Sequence, residues 1–151
     1  MILVAMRHGK AEPEGAGEDK ARALTERGRT DAASVGRQLA ENGVHPALAL
    51  VSSAVRTQQT FDALPPELFR DTKVRQLDEL YNADLPVMLS LVAEGENVMV
   101  IGHNPTISSV VAFLVGPTNL PVPSMKPADA AIIEADRLEA GKGRLLAYVR
   151  P

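Results

Sequence analysis

The sequence predicts an α/β fold in which helices cover both faces of a mostly parallel sheet. Short apolar runs alternate along the chain with segments of helical periodicity, a pattern typical of βαβ units with right-handed crossovers. The runs at 1–6 and 97–101 are almost continuously apolar, as expected of strands that are buried on both faces. A Gly-Lys-Gly segment at 141–143 between two further strand-like stretches indicates a terminal β-hairpin. These observations predict a three-layer α/β/α sandwich.

The first predicted strand, Met1 to Met6, runs directly into Arg7-His8-Gly9. A buried strand that ends in this way delivers a histidine to the edge of the sheet, where ligands of open α/β sheets bind. The following segment, Lys10 to Ala23, contains prolines and glycines and shows no periodicity, so we expect a loop beside the site.

The first predicted helix begins after Thr25, which is a good N-cap residue. Its apolar positions fall on one face, and Asn42-Gly43 ends it. We assign the apolar face to Ala32, Val35, Leu39 and Ala40. The capping role explains Thr25 well enough that we leave this residue out of the site.

The second strand, Ala47 to Val51, leads into Ser52-Ser53, which we expect to cap the next helix. Pro65-Pro66 stops that helix and keeps it short. Arg56 then lies in the first turn, where the helix dipole disfavours a cation and favours an anion. A bound anion explains this arginine, although an ordinary surface position is equally consistent with the sequence.

The third strand, Lys73 to Leu77, alternates polar and apolar residues and is expected near an edge of the sheet. Asp84 caps a helix whose apolar residues have helical spacing, and Gly95 is expected to close it. The apolar residues are Leu85, Met88, Leu89 and Val92. Glu79, between this strand and this helix, is either a site carboxylate or a solvated loop charge.

The fourth strand, Asn97 to Ile101, is followed by Gly102-His103-Asn104-Pro105. Asn104 as N-cap, Pro105 at the first helical position, and Gly116-Pro117 beyond the end delimit the last helix. The predicted hairpin strands are Ala130 to Ala135 and Arg144 to Val149.

The composition restricts the classes of function. A chain of 151 residues with 45% hydrophobic content is expected to form one domain, 1–151. A net charge of -3 and few aromatics (two Tyr, three Phe) argue against a nucleic-acid partner. The absence of cysteine excludes thiolate catalysis and cysteine-based metal sites. Since no apolar run reaches the ~18 residues of a membrane span and no cationic leader precedes the first strand, we expect a cytoplasmic protein without membrane contact.

The predicted topology brings several polar residues to one edge of the sheet. Arg7 and His8 follow the first strand, Arg56 the second, Glu79 the third and His103 the fourth. Because the carboxyl ends of parallel strands share an edge, these residues are expected to converge. The remaining histidine, His45, precedes a strand and is expected to play no part in the site.

Two arginines, two histidines and helix N-termini suit a dianionic phosphoryl group, which guanidinium groups bind through paired N–H donors. The chain has neither a phosphate-binding Gly-rich loop with Lys-Ser/Thr nor a carboxylate cluster for a metal, so we expect no cofactor. A two-histidine metal site is disfavoured because the arginines would repel the ion. A non-catalytic phosphate-binding module is a further alternative, but it gives no reason for an imidazole among the arginines.

The motifs resemble the histidine phosphatase superfamily. They are Arg7-His8-Gly9, Leu24-Thr25 with Gly28, Ser52 with Arg56-Thr57, and Gly102-His103-Asn104-Pro105. Together with the small size and Gln59-Thr60, they resemble the SixA-type phosphohistidine phosphatases within it. This resemblance implies the three-layer α/β/α fold, His8 as a nucleophile that becomes phosphorylated, and Arg7, Arg56 and His103 as the phosphate pocket.

That mechanism requires a neutral His8 with one ring N–H donated to a backbone carbonyl, while the arginines and a cationic His103 hold the phosphoryl charge. Superfamily members that act on phosphate esters use a carboxylate acid, for which Glu79 is the candidate. Larger relatives carry lid insertions, whereas the 77–84 connection leaves no room for a capping subdomain. We therefore expect an open pocket that accepts phosphohistidine on a phosphotransfer protein. A small-molecule phosphomonoesterase of the same superfamily is the alternative.

Overall fold

The computed structural model describes residues 1–15, 17–93 and 96–151, and within them it contains one six-stranded sheet. The strands are β1 (Ile2–Arg7), β2 (Leu48–Ser52), β3 (Lys73–Leu77), β4 (Asn97–Gly102), β5 (Ala130–Ala135) and β6 (Gly143–Val149). The helices are α1 (Glu26–Glu41), α2 (Val55–Ala63), α3 (Leu85–Val92) and α4 (Thr106–Val115). Gly95, predicted to end α3, lies outside the described residues.

The strand order is β3-β2-β4-β1-β5-β6. The four strands from β3 to β1 are parallel, whereas β5 and β6 are antiparallel additions. This arrangement confirms the mostly parallel sheet, the edge position of β3 and the terminal hairpin. The hairpin turn lies at the amino edge of the parallel strands, since Glu134 of β5 pairs with Ile2.

Helices cover both faces of the sheet and create two apolar layers. Along β1, Leu3 and Ala5 pack with α3 and α4, whereas Val4 and Met6 pack with α1. These four residues are at most 1% exposed. Because successive side chains of a strand point to opposite faces, a strand buried on both sides has to be apolar throughout. The predicted three-layer sandwich is confirmed.

The helix termini show where local prediction succeeded. Thr25 caps α1 by accepting a hydrogen bond from the Gly28 N–H at 2.9 Å, and Asp84 caps α3 by accepting from the Val87 N–H at 3.0 Å. Gly116 follows α4 with φ of 89°, a conformation that favours glycine.

Two predicted caps are wrong. The N-cap of α2 is Ala54 rather than Ser52 or Ser53, and it makes no side-chain cap bond. The N-cap of α4 is Pro105 rather than Asn104, since the helix begins at Thr106. In both cases the polar side chain has a different partner. Ser52 Oγ lies next to His103, and Asn104 Oδ1 accepts a hydrogen bond from the Ser108 hydroxyl.

Among the described residues, no helix combines the length and the apolar character that crossing a bilayer requires.

Candidate active site

Two histidines meet at the carboxyl edge of the sheet. His8 follows β1 and His103 follows β4, and these neighbouring parallel strands pair Arg7 with Gly102. The centroids of the two imidazole rings are therefore only 5.3 Å apart. His45 lies before β2 and lines a cavity with Asn42, Pro46 and Asn97, near the opposite edge. The expectation that His8 and His103 converge and that His45 does not is confirmed.

His8 is held in one orientation and one tautomer. Its backbone N–H donates to the Gly102 carbonyl at 3.1 Å, and its carbonyl accepts from the Ala128 N–H at 3.0 Å. The ring Nδ1 lies 2.7 Å from the Gly9 carbonyl, which can only accept, so Nδ1 carries the proton. The lone pair is then on Nε2. The backbone-carbonyl partner expected for the ring is confirmed.

Burial, supplemented by the charges of Arg56 and Arg7, lowers the pKa of His8 from 6.5 to about 4, although the bond to Gly9 opposes this change. The side chain of His8 is therefore neutral near pH 7, as a nitrogen nucleophile has to be.

The loop after His8 is fixed by close packing against the start of α1. A Cβ on Gly9 would lie 2.6 Å from the Gly28 carbonyl oxygen, and a Cβ on Gly28 would overlap the Lys10 carbonyl oxygen. The Gly9 N–H also donates to Thr60 Oγ1 at 3.0 Å. The two glycines allow the backbones to approach each other, and this approach sets the position of the His8 ring.

Both predicted arginines reach the site, and each has one buried N–H without a partner. Arg7, the last residue of β1, donates from Nη1 to the Met125 carbonyl at 2.9 Å. Arg56, in the first turn of α2, is 6% exposed and donates from Nη1 to the Asp19 carbonyl at 2.9 Å. In the described part of the chain, neither Nε has a hydrogen-bond partner. Because a buried unsatisfied donor is costly, these two N–H groups are suited to an incoming acceptor.

His103 is also buried and also has a ring nitrogen without a partner. Its Nε2 lies 2.8 Å from Ser52 Oγ, whereas Nδ1 has no partner among the described residues. Burial, with the nearby His8 and Arg56, lowers the pKa of His103 to about 3. The His103 ring is therefore neutral near pH 7, because two guanidinium groups and little water surround it. A cationic His103 that holds the charge of the transition state stays a prediction. When Nε2 of the neutral ring accepts a hydrogen bond from the Ser52 hydroxyl, the ring proton lies on Nδ1.

These side chains line one pocket of about 300 Å³. Its lining comprises Arg7, His8, Lys10, Ala11, Arg22, Arg56, His103, Asn104 and Pro127. Among the described residues, this lining contains four cationic side chains and no carboxylate. Within the part of the chain that the structure describes, no group of three or more histidine, aspartate or glutamate side chains is arranged to hold a metal ion.

Glu79 does not lie with the other predicted site residues. It belongs to a short 3-10 turn, Asp78–Leu80, its side chain is exposed, and it is absent from the pocket lining. The residue of this segment that reaches the site is Tyr81, whose ring is edge-on to the His103 ring at 5.7 Å. The path of β3 and of the 3-10 turn after it directs the Tyr81 side chain, rather than that of Glu79, toward His103. A catalytic role for Glu79 stays a prediction, without support from its placement.

Three residues around the pocket were not predicted from the sequence. Asp19 and Arg22 come from the 10–23 loop, and Tyr81 follows β3. Arg22 stands two residues before Leu24-Thr25, so its position beside this motif was an available signal. Asp19 gave no signal, because the surrounding loop has no periodicity.

Known proteins resemble this chain in sequence and in fold. The family model for the histidine phosphatase superfamily (branch 1) matches residues 3–91. No curated protein sequence matches the chain.

Three solved structures illustrate the similarity across the whole chain. The candidate phosphohistidine phosphatase SixA from Agrobacterium tumefaciens is 30% identical, with a TM-score of 0.85 and coverage of 99% of this chain and 97% of that one. A protein histidine phosphatase SixA complexed with tungstate is 25% identical, with a TM-score of 0.81 and coverage of 100% and 97%. A mycobacterial glucosyl-3-phosphoglycerate phosphatase is 19% identical, with a TM-score of 0.67 and coverage of 99% of both chains, and this likeness concerns the fold alone.

The matched region contains Arg7, His8 and Arg56, and the matched structures extend the similarity over the segment that carries His103. These findings support a phosphatase. The chain therefore belongs to the histidine phosphatase superfamily, branch 1.

Proposed function

We propose that this protein removes the phosphoryl group from phosphohistidine on a phosphotransfer protein. The observation that carries the proposal is a set of three buried nitrogens that have no partner in the described structure, all on side chains that line the pocket with His8: Arg7 Nε, Arg56 Nε and His103 Nδ1. Two guanidinium N–H donors and an imidazole nitrogen without partners at one pocket are groups that a bound phosphoryl group would satisfy. In this proposal Arg7, Arg56 and His103 bind the phosphoryl oxygens, and His8 is the nucleophile.

In the first step, the lone pair on His8 Nε2 forms a bond to phosphorus while the bond from phosphorus to the substrate imidazole breaks. The proton on His8 Nδ1 stays on the ring, where the Gly9 carbonyl stabilises the positive charge of the phosphorylated imidazole. In the second step, water forms a new bond to phosphorus, the bond to Nε2 breaks, and phosphate and neutral His8 are released. The guanidinium N–H groups hold the oxygens of the loose transition state in both steps. Side chains and water supply the whole reaction as proposed, without a cofactor.

The leaving group favours phosphohistidine over a phosphate ester. Imidazole, with a reference pKa of about 6.5, leaves as a neutral molecule when its second nitrogen is protonated, whereas an alkoxide needs a proton from an acid. The pocket lining, as far as the structure describes the chain, contains no carboxylate. Asp19, which contacts Arg56, has its pKa lowered to about 2, mainly by the hydrogen bond from Tyr81, and so carries no proton to donate near pH 7.

The comparisons point in the same direction, because the structures at 25% and 30% identity are SixA proteins. Tungstate, present in one of them, is a tetrahedral oxyanion like phosphate. We further infer that residues 1–151 act as one domain without a capping subdomain. Leu77 of β3 and Leu85 of α3 are joined by a short segment containing a single 3-10 turn, which supports this inference.

Single-turnover labelling tests the proposal. Excess protein is mixed with a phosphotransfer protein that carries a radiolabelled phosphohistidine, the reaction is stopped with detergent at alkaline pH, which preserves phosphohistidine, and the labelled residue is mapped. We expect transient label on His8 and none in the His8→Asn variant. Label on another residue would contradict the mechanism.

The same preparation is assayed with small phosphate esters. Turnover of esters alone would indicate the small-molecule phosphomonoesterase, and phosphate binding without any turnover would indicate a non-catalytic binding module. Either result would overturn the proposed substrate.

A further inference from the structure

A third guanidinium group reaches the pocket from the 10–23 loop. Arg22 lines the pocket beside His8 and Arg56, and its side chain is 22% exposed. It donates from Nε to Asp19 Oδ1 at 2.9 Å and from Nη1 to the Glu12 carbonyl at 2.8 Å. No hydrogen bond among the described residues uses its Nη2. The two bonds hold the guanidinium plane at the pocket wall and leave donors available.

The carboxylate of Asp19 joins this arginine to Arg56. Asp19 Oδ1 accepts from Arg22, whereas Oδ2 accepts from Arg56 Nη2 at 3.2 Å and from the Tyr81 hydroxyl at 2.5 Å. The Asp19 carbonyl accepts a further bond from Arg56 Nη1. One residue of the loop thereby fixes two guanidinium groups that come from different parts of the chain. Without the shared carboxylate, these two like charges would repel each other.

The charge in this pocket is not balanced within the described residues that surround it. Three guanidinium groups, those of Arg7, Arg22 and Arg56, lie at this pocket. Asp19 contacts two of them, and Asp129 is close enough to raise the pKa of Arg7, so one positive charge remains before Lys10 at the rim is considered. Arg22 is also close enough to lower the pKa of both His8 and His103. Its charge therefore reaches the place where the phosphoryl group would bind.

We propose that Arg22 is a third phosphoryl-binding guanidinium and that Asp19 is the positioning residue that holds Arg22 and Arg56 in place. This inference rests on the proposed function, because it assigns residues to the same phosphoryl pocket. It differs from a purely structural role for the Asp19–Arg22 pair, which would only fasten the loop to the sheet edge. The structural role predicts altered stability, whereas the proposed role predicts altered oxyanion affinity.

Calorimetric titration with tungstate tests the proposal without requiring turnover. Loss of a hydrogen bond to a charged group corresponds to about 10-fold to 100-fold in affinity, so we expect Arg22→Ala to weaken tungstate binding by that factor. Arg22→Lys should recover only part of the loss, because a lysine cannot bond Asp19 and the ligand in the same geometry. The matched control is the pair Arg144–Glu134, which has a 2.8 Å ion pair on β6 and β5 away from the pocket. Arg144→Ala and Glu134→Gln should leave tungstate affinity unchanged.

A double-mutant cycle tests the positioning role of Asp19. Asp19→Asn should weaken tungstate binding, and its effect should shrink in the Arg22→Ala background because part of its action passes through Arg22. Losses that are equal in both backgrounds would overturn the positioning role. Thermal unfolding of each variant shows that the binding measurement concerns folded protein.

Two results separate this inference from the proposed function. If the wild-type protein removes phosphate from phosphohistidine while Arg22→Ala binds tungstate as tightly as the wild type, only the assignment of Arg22 fails. If tungstate affinity depends on Arg22 but no phosphohistidine is hydrolysed, the pocket assignment stands and the proposed function fails.

Discussion

Acidification should destabilise this protein in a way that depends on His8. In the unfolded chain the imidazole takes up a proton as the pH falls through 6.5, whereas in the folded protein it does so only near pH 4. Between these values the unfolded state binds more protons, so the free energy of unfolding decreases as the pH is lowered. The interval from 6.5 to about 4, at about 1.36 kcal/mol for each pKa unit, corresponds to about 3 kcal/mol. Because His8 is only 8% exposed, solvent screening reduces this value little.

Urea denaturation of the wild-type protein and His8→Asn, in buffers without phosphate or sulfate, measures this effect. Asparagine can retain the hydrogen bond to the Gly9 carbonyl but does not titrate, so the variant should lose about 3 kcal/mol less stability between about pH 7 and pH 4. Comparing the two proteins at the same pH cancels the contribution of the carboxylates. Asp19 affects stability in a lower pH range. Its pKa is lowered to about 2 in the folded protein, so the stabilisation that its carboxylate provides is lost only as the pH falls toward that value. Equal pH dependence in both proteins would refute the conclusion that His8 is neutral because it is buried.

Four further outcomes are expected. His8→Ala should abolish turnover in initial-rate assays while circular dichroism shows an intact fold; a rate near that of the wild type would exclude covalent catalysis through His8. Arg56→Ala should lower kcat/KM by the equivalent of about 2 to 5 kcal/mol, and full activity of Arg56→Lys would show that charge alone suffices. Gly28→Ala should lower the denaturation midpoint by the equivalent of about 1 to 3 kcal/mol, since the new Cβ would overlap the Lys10 carbonyl; an unchanged midpoint would show that the loop yields freely. Glu79→Gln should cause equally small losses on alkyl phosphate and phosphohistidine because the side chain is exposed outside the pocket, whereas a selective loss of about 10²-fold or more on the alkyl phosphate would identify it as the acid.

The sheet and the central part of the site could be predicted because both depend on local patterns. Apolar runs identified the strands, and the position of His8 and His103 after two of those runs placed both residues at the same edge. Parallel pairing then required them to be close, whatever the details of the loops.

Other features of the fold and of the site could not be predicted, because they depend on which of several possible partners a polar side chain contacts in the folded protein. Ser52 was a reasonable helix cap by sequence, but its hydroxyl lies beside His103 instead. The 79–81 segment reaches the site through Tyr81 rather than Glu79, because a 3-10 turn sets the direction of each side chain. Asp19 joins residues that are 37 and 62 positions away in the chain, contacts that no local pattern encodes. The charge of His103 depends on its burial in the folded protein.

The position of β1 in the sheet also affects how the chain has to be assembled during synthesis. β1 is the first strand in chain order, yet its two neighbours are β4 and β5, so the pairing of Ile2 with Asn97 spans 95 residues. This apolar strand is covered on both faces and paired on both edges in the folded protein. It therefore lacks these partners until most of the chain has been synthesised. Pairing between strands that are far apart in the sequence makes folding slow. Until it occurs, the unpaired strand exposes backbone groups and apolar side chains that favour aggregation. During translation β1 therefore stays without its sheet neighbours until β4 and β5 have been synthesised.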